Sequence, residues 1–339
     1  MSRLIVVLSR LGQALPTLLG ILVVTFLMTR ALPGDPAAFF AGPAATTESI
    51  AEVRAKLGLD QPLPVQFVDY LADLLRGNLG QSLSTGQPVL SDLAQRLPAS
   101  LELTLVALVL SVSIAVPLGV LAALKQDTWV DQLCRFIVTA GVSLPTFFTG
   151  LVLVYVFYYL LGIAPSPLGR IDIISLPPPR VTGFYLIDAP LAGEWQTTWS
   201  ALKQLALPSI TLALFTLAPL ARMTRASMLQ ALGSDFIRTA KACGLRSSKV
   251  LFSYALRNAL LPVVTTLGMV FSFSLGANVL VEKVFSWPGI GSYAIEALVA
   301  SDYAAVQGFV LAMAVLFVVL NLCVDIAYTL IDPRLKIDG

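Results

Sequence analysis

The groups able to do chemistry in this sequence are few and scattered. There is no histidine, which removes imidazole bases, imidazole metal ligands and histidine pH switching together. The cysteines, Cys134, Cys243 and Cys323, form no C-x-x-C pair. No zinc or redox motif is suggested, and free thiols near the reducing face are expected. No G-x-x-x-x-G-K-S/T phosphate loop is present, so the chain itself is not expected to hydrolyse nucleotide. What remains is a set of polar groups in or beside long apolar runs: Glu102, Asn278, Glu282, Asn321 and Asp325. An ionisable group at membrane depth is costly and is a functional candidate by default. These five are the candidate pathway or gate residues. For Glu102 and Asp325 the simpler expectation is that they snorkel or pair with a basic neighbour. Arg222 and Arg225 are expected to meet lipid phosphates.

A second group is contiguous. Ser234-Asp235-Phe236-Ile237-Arg238-Thr239-Ala240-Lys241-Ala242-Cys243-Gly244 reads as a capped two-turn helix. Ser234 or Asp235 can accept orphan N–H bonds at its start, and the acid favours the helix dipole. Gly244 can end it in a left-handed conformation, because it has no Cβ to clash. Phe236, Ile237 and Ala240 give it an apolar face; Arg238 and Lys241 give it a basic one. A short rigid helix of this kind suits a groove in a soluble partner or an anionic lipid surface.

The elements that must position these groups are membrane spans. Apolar residues make up 57% of the 339 and charged residues 12%, about half the charged share of soluble domains. Mean hydropathy is +0.83, and a bilayer is the natural solvent for such a surface. Six long uncharged runs stand out, 11–29, 103–124, 136–169, 204–221, 258–281 and 303–324. The third is too long for one span and contains Pro145, Pro165 and Pro167; a helix over about 136–162 followed by an external loop is predicted. Other prolines, Pro16, Pro117, Pro208, Pro219 and Pro262, lie inside runs and are tolerated where neighbours satisfy the freed carbonyls. The first run, preceded by Arg3 and Arg10, reads as a retained signal anchor.

Charge distribution gives a direction. Segment 222–257 carries seven bases, Arg222, Arg225, Arg238, Lys241, Arg246, Lys249 and Arg257, against Asp235 alone. In 30–102 acids match or exceed bases. By the positive-inside rule both termini are expected in the cytoplasm. The external segment between spans one and two is expected to be partly helical, at 48–58 and 64–76. The organisation is thus an all-α integral membrane protein of six spans. Residues 1–30 hold the N-terminus and first span, 31–99 the external segment, 100–335 a five-helix core and 336–339 a tail. The core includes the loop 226–256 and an external insert, 163–203.

The loop resembles the EAA loop of bacterial ABC-importer permeases, which docks onto the ATPase subunit. Arg238-Thr239-Ala240 stand where that motif has Glu-Ala-Ala, and Gly244 stands at its glycine. Downstream it departs: the motif's proline position is Arg257, and proline arrives at Pro262. The stretch Ala255-Leu256-Arg257-Asn258-Ala259-Leu260-Leu261-Pro262 is instead similar to the dipeptide/oligopeptide permease family, first subunit type. So are Leu32-Pro33-Gly34-Asp35-Pro36, Leu57-Gly58-Leu59-Asp60-Gln61-Pro62, Gly80-Gln81-Ser82, Leu207-Pro208-Ser209, Val281-Glu282-Lys283-Val284-Phe285-Ser286-Trp287-Pro288-Gly289 and Asp332-Pro333-Arg334. Their order covers nearly the whole chain.

The resemblance implies a type I permease fold, a second similar permease subunit, two ATPase subunits and an external solute-binding protein, with no nucleic acid. ATP and Mg would be bound by the partners, and this chain would hold no cofactor and no metal and would not be an enzyme. It implies that Asp235, Phe236, Arg238, Thr239, Ala240, Lys241 and Gly244 form the ATPase-coupling helix. Relatives of the family carry dipeptides, oligopeptides, nickel chelates, glutathione, opines or sugars. A secondary transporter would call for more spans, an internal repeat and buried coupling groups. A channel would call for a filter or charged ring. Neither pattern is evident.

Overall fold

In a computed structural model the chain is helical throughout its regular elements. The structure describes residues 3–31, 36–42, 45–56 and 58–331. The Leu32–Asp35 stretch, residues 332–339 and the side chain of Asp325 lie outside the described residues. The helices are α1 Arg3–Ala31, α2 Pro36–Ala41, α3 Thr47–Lys56, α4 Leu63–Leu75, α5 Val89–Leu124, α6 Trp129–Val142, α7 Thr146–Leu160, α8 Tyr185–Leu191, α9 Trp195–Leu232, α10 Asp235–Ala242, α11 Ser247–Val284, α12 Ile290–Val299 and α13 Tyr303–Ile331. Among the described residues four of them, α5, α9, α11 and the stretch Tyr303–Val324 of α13, are long and apolar enough to cross a membrane. The pair α6 and α7 makes a fifth candidate span if read as one broken element.

That pair corrects the single helix expected over 136–162. The chain turns by 97° between α6 and α7, at Ser143-Leu144-Pro145. Pro145 starts the new helix at φ −55° and ψ 140°. Its ring cannot continue the preceding ladder, and it pushes Leu144 away from helical geometry. The last two turns of α7, Val154–Leu160, widen into a π-helix. They end at Leu161, with Gly162 at φ 61°.

Two compact units are present. The first comprises Met1–Pro98 and Gly289–Val319. Within it, α4 packs on α1. Phe26 meets Phe67 edge-on at 5.2 Å and Tyr70 at 5.9 Å, and the Arg30 guanidinium lies 3.8 Å from the Phe26 ring. Of the apolar residues of 64–76, Phe67 makes contact with Phe26, while Val65, Val68 and Leu75 stay exposed. A core of Val89, Leu93, Ile290, Tyr293, Ala297 and Ala305 ties the start of α5 to α12 and α13. Asp302 caps α13 by accepting from the Ala305 N–H at 3.2 Å, and it also accepts from the Ser82 hydroxyl at 2.6 Å and the Ser84 N–H at 3.1 Å. One carboxylate thereby fixes both a helix start and the turn 82–87.

The second unit comprises Ala99–Pro288 and Leu320–Gly339, and α9 is its centre. The apolar window of α9 is 72% buried, against 33% in α5 and 39% in α11, so α9 packs on several sides. Small residues permit this. A Cβ on Gly119 would fall 2.6 Å from the Thr224 Cβ and 2.8 Å from the Ala221 carbonyl, which fixes a close approach of α5 and α9. Thr211, Thr216 and Thr224 donate their hydroxyls to carbonyls of the preceding turn. These polar groups therefore satisfy themselves inside an apolar helix.

Helix α9 also revises the loop boundaries. It extends beyond the uncharged run 204–221 at both ends, and α11 begins at Ser247. Of the expected loop 226–256, only short connections around α10 are non-helical. Charged residues Lys203, Arg222 and Arg225 had marked the ends of the run without ending the helix.

Candidate functional site

Helix α10 is built as expected at its end and differently at its start. The Gly244 N–H donates to the Lys241 carbonyl at 3.0 Å, and the Leu245 N–H donates to the Ala240 carbonyl at 3.3 Å. Gly244 sits at φ 74°. This pair of bonds with a left-handed glycine is a Schellman closure, and Leu245 packs with Ala240 and Ile237 as its apolar contact. At the start, Ser234 occupies the N-cap position with extended backbone, yet no side chain caps the N–H groups. The Ser234 hydroxyl instead donates back to the Ala231 carbonyl at 2.5 Å, at the end of α9. Asp235 supplies dipole charge and pairs with Arg238 at 3.1 Å.

The apolar face is divided. Ile237 is fully buried and Ala240 nearly so, in a cluster with Ala123, Met228, Val250, Ala255 and Ala259. Phe236, expected on the same face, is 44% exposed. It lies about 100° around the helix from Ile237, which is why a three-residue stripe could not all face one way. The chain uses Ile237 and Ala240 to hold the helix against its own core. Asp235, Phe236, Arg238, Thr239 and Lys241 are left exposed. Arg238 and Asp235 are 75% and 93% exposed, so their pairing adds little stability.

The polar groups of the spans come together in two clusters. Ser100 and Thr104 are one turn apart on α5, and Asn278 and Glu282 are one turn apart on α11, so each pair shares a face. The Ser100 hydroxyl donates to Glu282 Oε1 at 2.5 Å. The Asn278 amide donates to the same oxygen at 3.0 Å, and it reaches the Ser100 carbonyl and Thr104 Oγ1 at 3.3 Å each. All four are at most 2% exposed. Asn278 and Glu282 therefore join two helices and do not line an open passage in this structure.

Glu102 anchors the insert that follows α7. The Arg170 guanidinium donates to its Oε2 at 2.5 Å, and the Leu186 N–H donates to its Oε1 at 2.8 Å. Arg170 also donates to the Gly183 carbonyl at 2.8 Å and stacks 3.5 Å from the Tyr185 ring. Acid and base are both buried. Glu102 thus pairs with a basic neighbour. Asp188 gathers four donors from the same insert: the N–H groups of Val181, Thr182 and Gly183 and the Thr182 hydroxyl, at 2.7–3.2 Å. Burial by itself raises the Asp188 carboxyl, and these donors outweigh it, so the net shift is downward. Asn321 is exposed on α13.

Sequence reading missed Arg170, Asp188 and Asp131. Arg225, expected at lipid phosphates, donates to Asp131 from Nε and Nη2 at 2.8 and 2.7 Å. The pairs Glu102–Arg170 and Asp131–Arg225 are separated by 68 and 94 residues, so no local pattern could reveal them. The only signal was Arg170 at the edge of the run 136–169; Asp131 sits among Lys125, Asp127 and Arg135 and does not stand out.

Residues 115–337 match the family model described as binding-protein-dependent transport system inner membrane component. Residues 1–104 match the N-terminal model of the same kind of membrane component. The chain belongs to this family. The protein is thus a multi-pass inner-membrane component of a binding-protein-dependent transport system. Among its relatives is the probable D,D-dipeptide transport system permease protein of Escherichia coli, 44% identical over 94% of each chain. The dipeptide transport system permease protein of Alkalihalophilus pseudofirmus is 41% identical over 96% of this chain and 98% of its own. The di/tripeptide transport system permease protein of Pseudomonas aeruginosa is 41% identical over 96% and 97%.

Proposed function

We propose that this chain is one permease subunit of an ATP-driven importer of dipeptides or short oligopeptides. It works beside a second similar permease, two ATPase subunits and an external solute-binding protein. The peptide assignment draws support from the three relatives named above. In this reading the chain crosses the membrane six times with both termini in the cytoplasm. The 29 residues of α1 reach about 44 Å at 1.5 Å per residue, enough for a hydrocarbon core of about 30 Å. With the five candidates above, α1 makes six. The seven bases of 222–257 favour the cytoplasm for α10.

The observation that carries the reading is the division of labour on α10. Ile237 and Ala240 fix it to the chain's own core, while Asp235, Phe236, Arg238, Thr239 and Lys241 face outward. Such a helix passes motion from a bound ATPase to α9 and α11. ATP would close the ATPase pair, α10 would be displaced, and the two permeases would open outward to receive solute. ATP and Mg are assigned to the ATPase subunits. Glu282 and Asn278 serve as a helix joint that must hold or break as the pathway opens, and Asn321 is the candidate lining residue.

The test is reconstitution with the second permease, ATPases and solute-binding protein that copurify with this chain. Peptide uptake should require ATP and the binding protein. Failure of any P-loop ATPase to copurify would sink the permease reading. Copurification with uptake of nickel chelate, glutathione or an opine, and no peptide, would sink only the substrate.

A further inference from the structure

A cavity of about 270 Å³ opens between α5, α6 and α9. Arg135, Arg222 and Arg225 line it together with Cys134, and Leu118 and Val138 contribute apolar wall. Asp131 engages Arg225 at 2.7 Å and Arg135 at 3.3 Å. Asp127 lies within electrostatic reach of Arg225. Three guanidiniums therefore outnumber two carboxylates. Arg222 makes no ion pair or side-chain hydrogen bond among the described residues, so its donors are available to the cavity.

We infer that this cavity holds the phosphate of an anionic phospholipid headgroup, with Arg222 as the principal donor and Arg135 as the second. A planar guanidinium fork matches a phosphate in charge and geometry. The size and mixed lining favour a headgroup with its glycerol. Its place also favours lipid: it sits beside Gly119 and Ala122, in the last two turns of α5, at one end of helices long enough to cross the bilayer. Basic pockets between spans at a membrane face bind anionic headgroups in this way. The ion pair with Asp131 serves here as a scaffold. It holds Arg225 in the wall and leaves Arg222 to the ligand. The proposal uses the orientation proposed above only to name the leaflet, the cytoplasmic one; the site itself does not depend on that reading or on peptide transport.

Thr139, exposed in the cavity wall, gives the position for a local probe. The assembled transporter, carrying Thr139→Cys with Cys134→Ser, Cys243→Ser and Cys323→Ser in this chain, is depleted of lipid. It is then placed with phosphatidylcholine vesicles, with or without phosphatidylglycerol, and alkylation of the introduced thiol by a small maleimide is timed. Phosphatidylglycerol should slow the reaction about tenfold, the scale of one or two charge-assisted hydrogen bonds. Arg222→Gln should remove that protection, and Arg222→Lys should keep part of it. Native mass spectrometry should find phosphatidylglycerol retained by the complex and lost from Arg222→Gln. Equal alkylation with and without phosphatidylglycerol would overturn the site. So would equal protection in Arg222→Gln. Protection by inorganic phosphate as strong as by the lipid would reassign the ligand to a soluble anion and overturn the lipid proposal. If Arg222→Gln fails to assemble, protection in the chain with Arg222 intact still decides.

Discussion

Arg225 on α9 grips Asp131 on α6 with two parallel N–H···O bonds, Nε to Oδ1 at 2.8 Å and Nη2 to Oδ2 at 2.7 Å. Asp131 is fully buried, and its Oδ2 also accepts from the Asp127 N–H at 3.2 Å. A bidentate pair of this kind is both strong and directional. It joins the first turn of α6 to α9 less than three turns before α10 begins.

Asp131→Asn should therefore loosen the N-terminal end of α6. Arg225 is partly exposed, so the cost is reduced from that of a fully buried pair to on the order of 2 kcal/mol. Arg225→Gln together with Asp131→Asn should cost less than the two single changes added. A thermal-unfolding double-mutant cycle in detergent measures this, and strict additivity would contradict the pairing.

At Gly244 a β-branched residue must adopt φ 74°. Nothing lies within 4 Å of the added Cβ, so the cost is backbone strain alone, about 1–2 kcal/mol. Gly244→Val should lower transport per ATP hydrolysed while leaving membrane insertion intact. Gly244→Asn, which tolerates the left-handed region, should be milder. Uptake and ATPase rates in proteoliposomes give the ratio. A Val variant coupled as tightly as the parent would show that the closure of α10 does not matter.

Neighbouring residues on α10 should separate by role. Ile237→Ala removes buried side chain, with a local cost of about 2–5 kcal/mol, and should expose α10 to proteolysis. Phe236→Ala should leave that protection unchanged and weaken retention of the ATPase. Both are read on one preparation, by limited digestion and by ATPase copurification. The reverse pattern would exchange their assignments.

Glu102 and Arg170 should fail singly and recover in part together. Removing either charge leaves the other buried and unpaired, a loss of about 3–5 kcal/mol. Glu102→Gln should destabilise the insert, and adding Arg170→Met should restore part of the melting temperature. A double variant no better than the worse single one would refute the clamp.

Asp188 gives the insert a pH response. Its carboxyl is held below the ordinary value of about 3.9, because burial, which opposes ionisation, is outweighed by donors from 181–183. A carboxyl with a lowered folded pKa contributes stability that is complete above the unfolded value. That stability is lost as pH falls through the folded one. Proteolysis within 180–191 by an acid protease should thus begin only below about pH 4. In Asp188→Asn a protease active at neutral pH should already cleave this segment near pH 7, where it leaves the parent intact.

Long apolar runs made five of the long helices visible and helical spacing made α4 visible, while the helix over 48–58 was read from the glycine that stops it. Apolarity alone misjudged 136–162, where every residue is apolar enough but one proline redirects the chain. It also understated α9, since Lys203, Arg222 and Arg225 interrupt the apolar run without breaking hydrogen bonds. The closure at Gly244 was legible because left-handed backbone selects a residue type. The exposure of Phe236 was not, because facing depends on what α9 and α11 place opposite. Glu282 and Asn278 were found as unusual residues, but their partners Ser100 and Thr104 look ordinary in a span.

Helix α9 runs unbroken for 38 residues, about 57 Å at 1.5 Å per residue. Trp195 at one end adjoins the insert clamped by Glu102, and Ser234 lies just past the other, at the start of α10. This is a rod nearly twice the thickness of the hydrocarbon core. Tilting it by about 5° about one end carries the other by about 5 Å, the rise of one helical turn. A small push on α10 and a small shift of the insert can thus be one and the same displacement, read at opposite faces of the membrane.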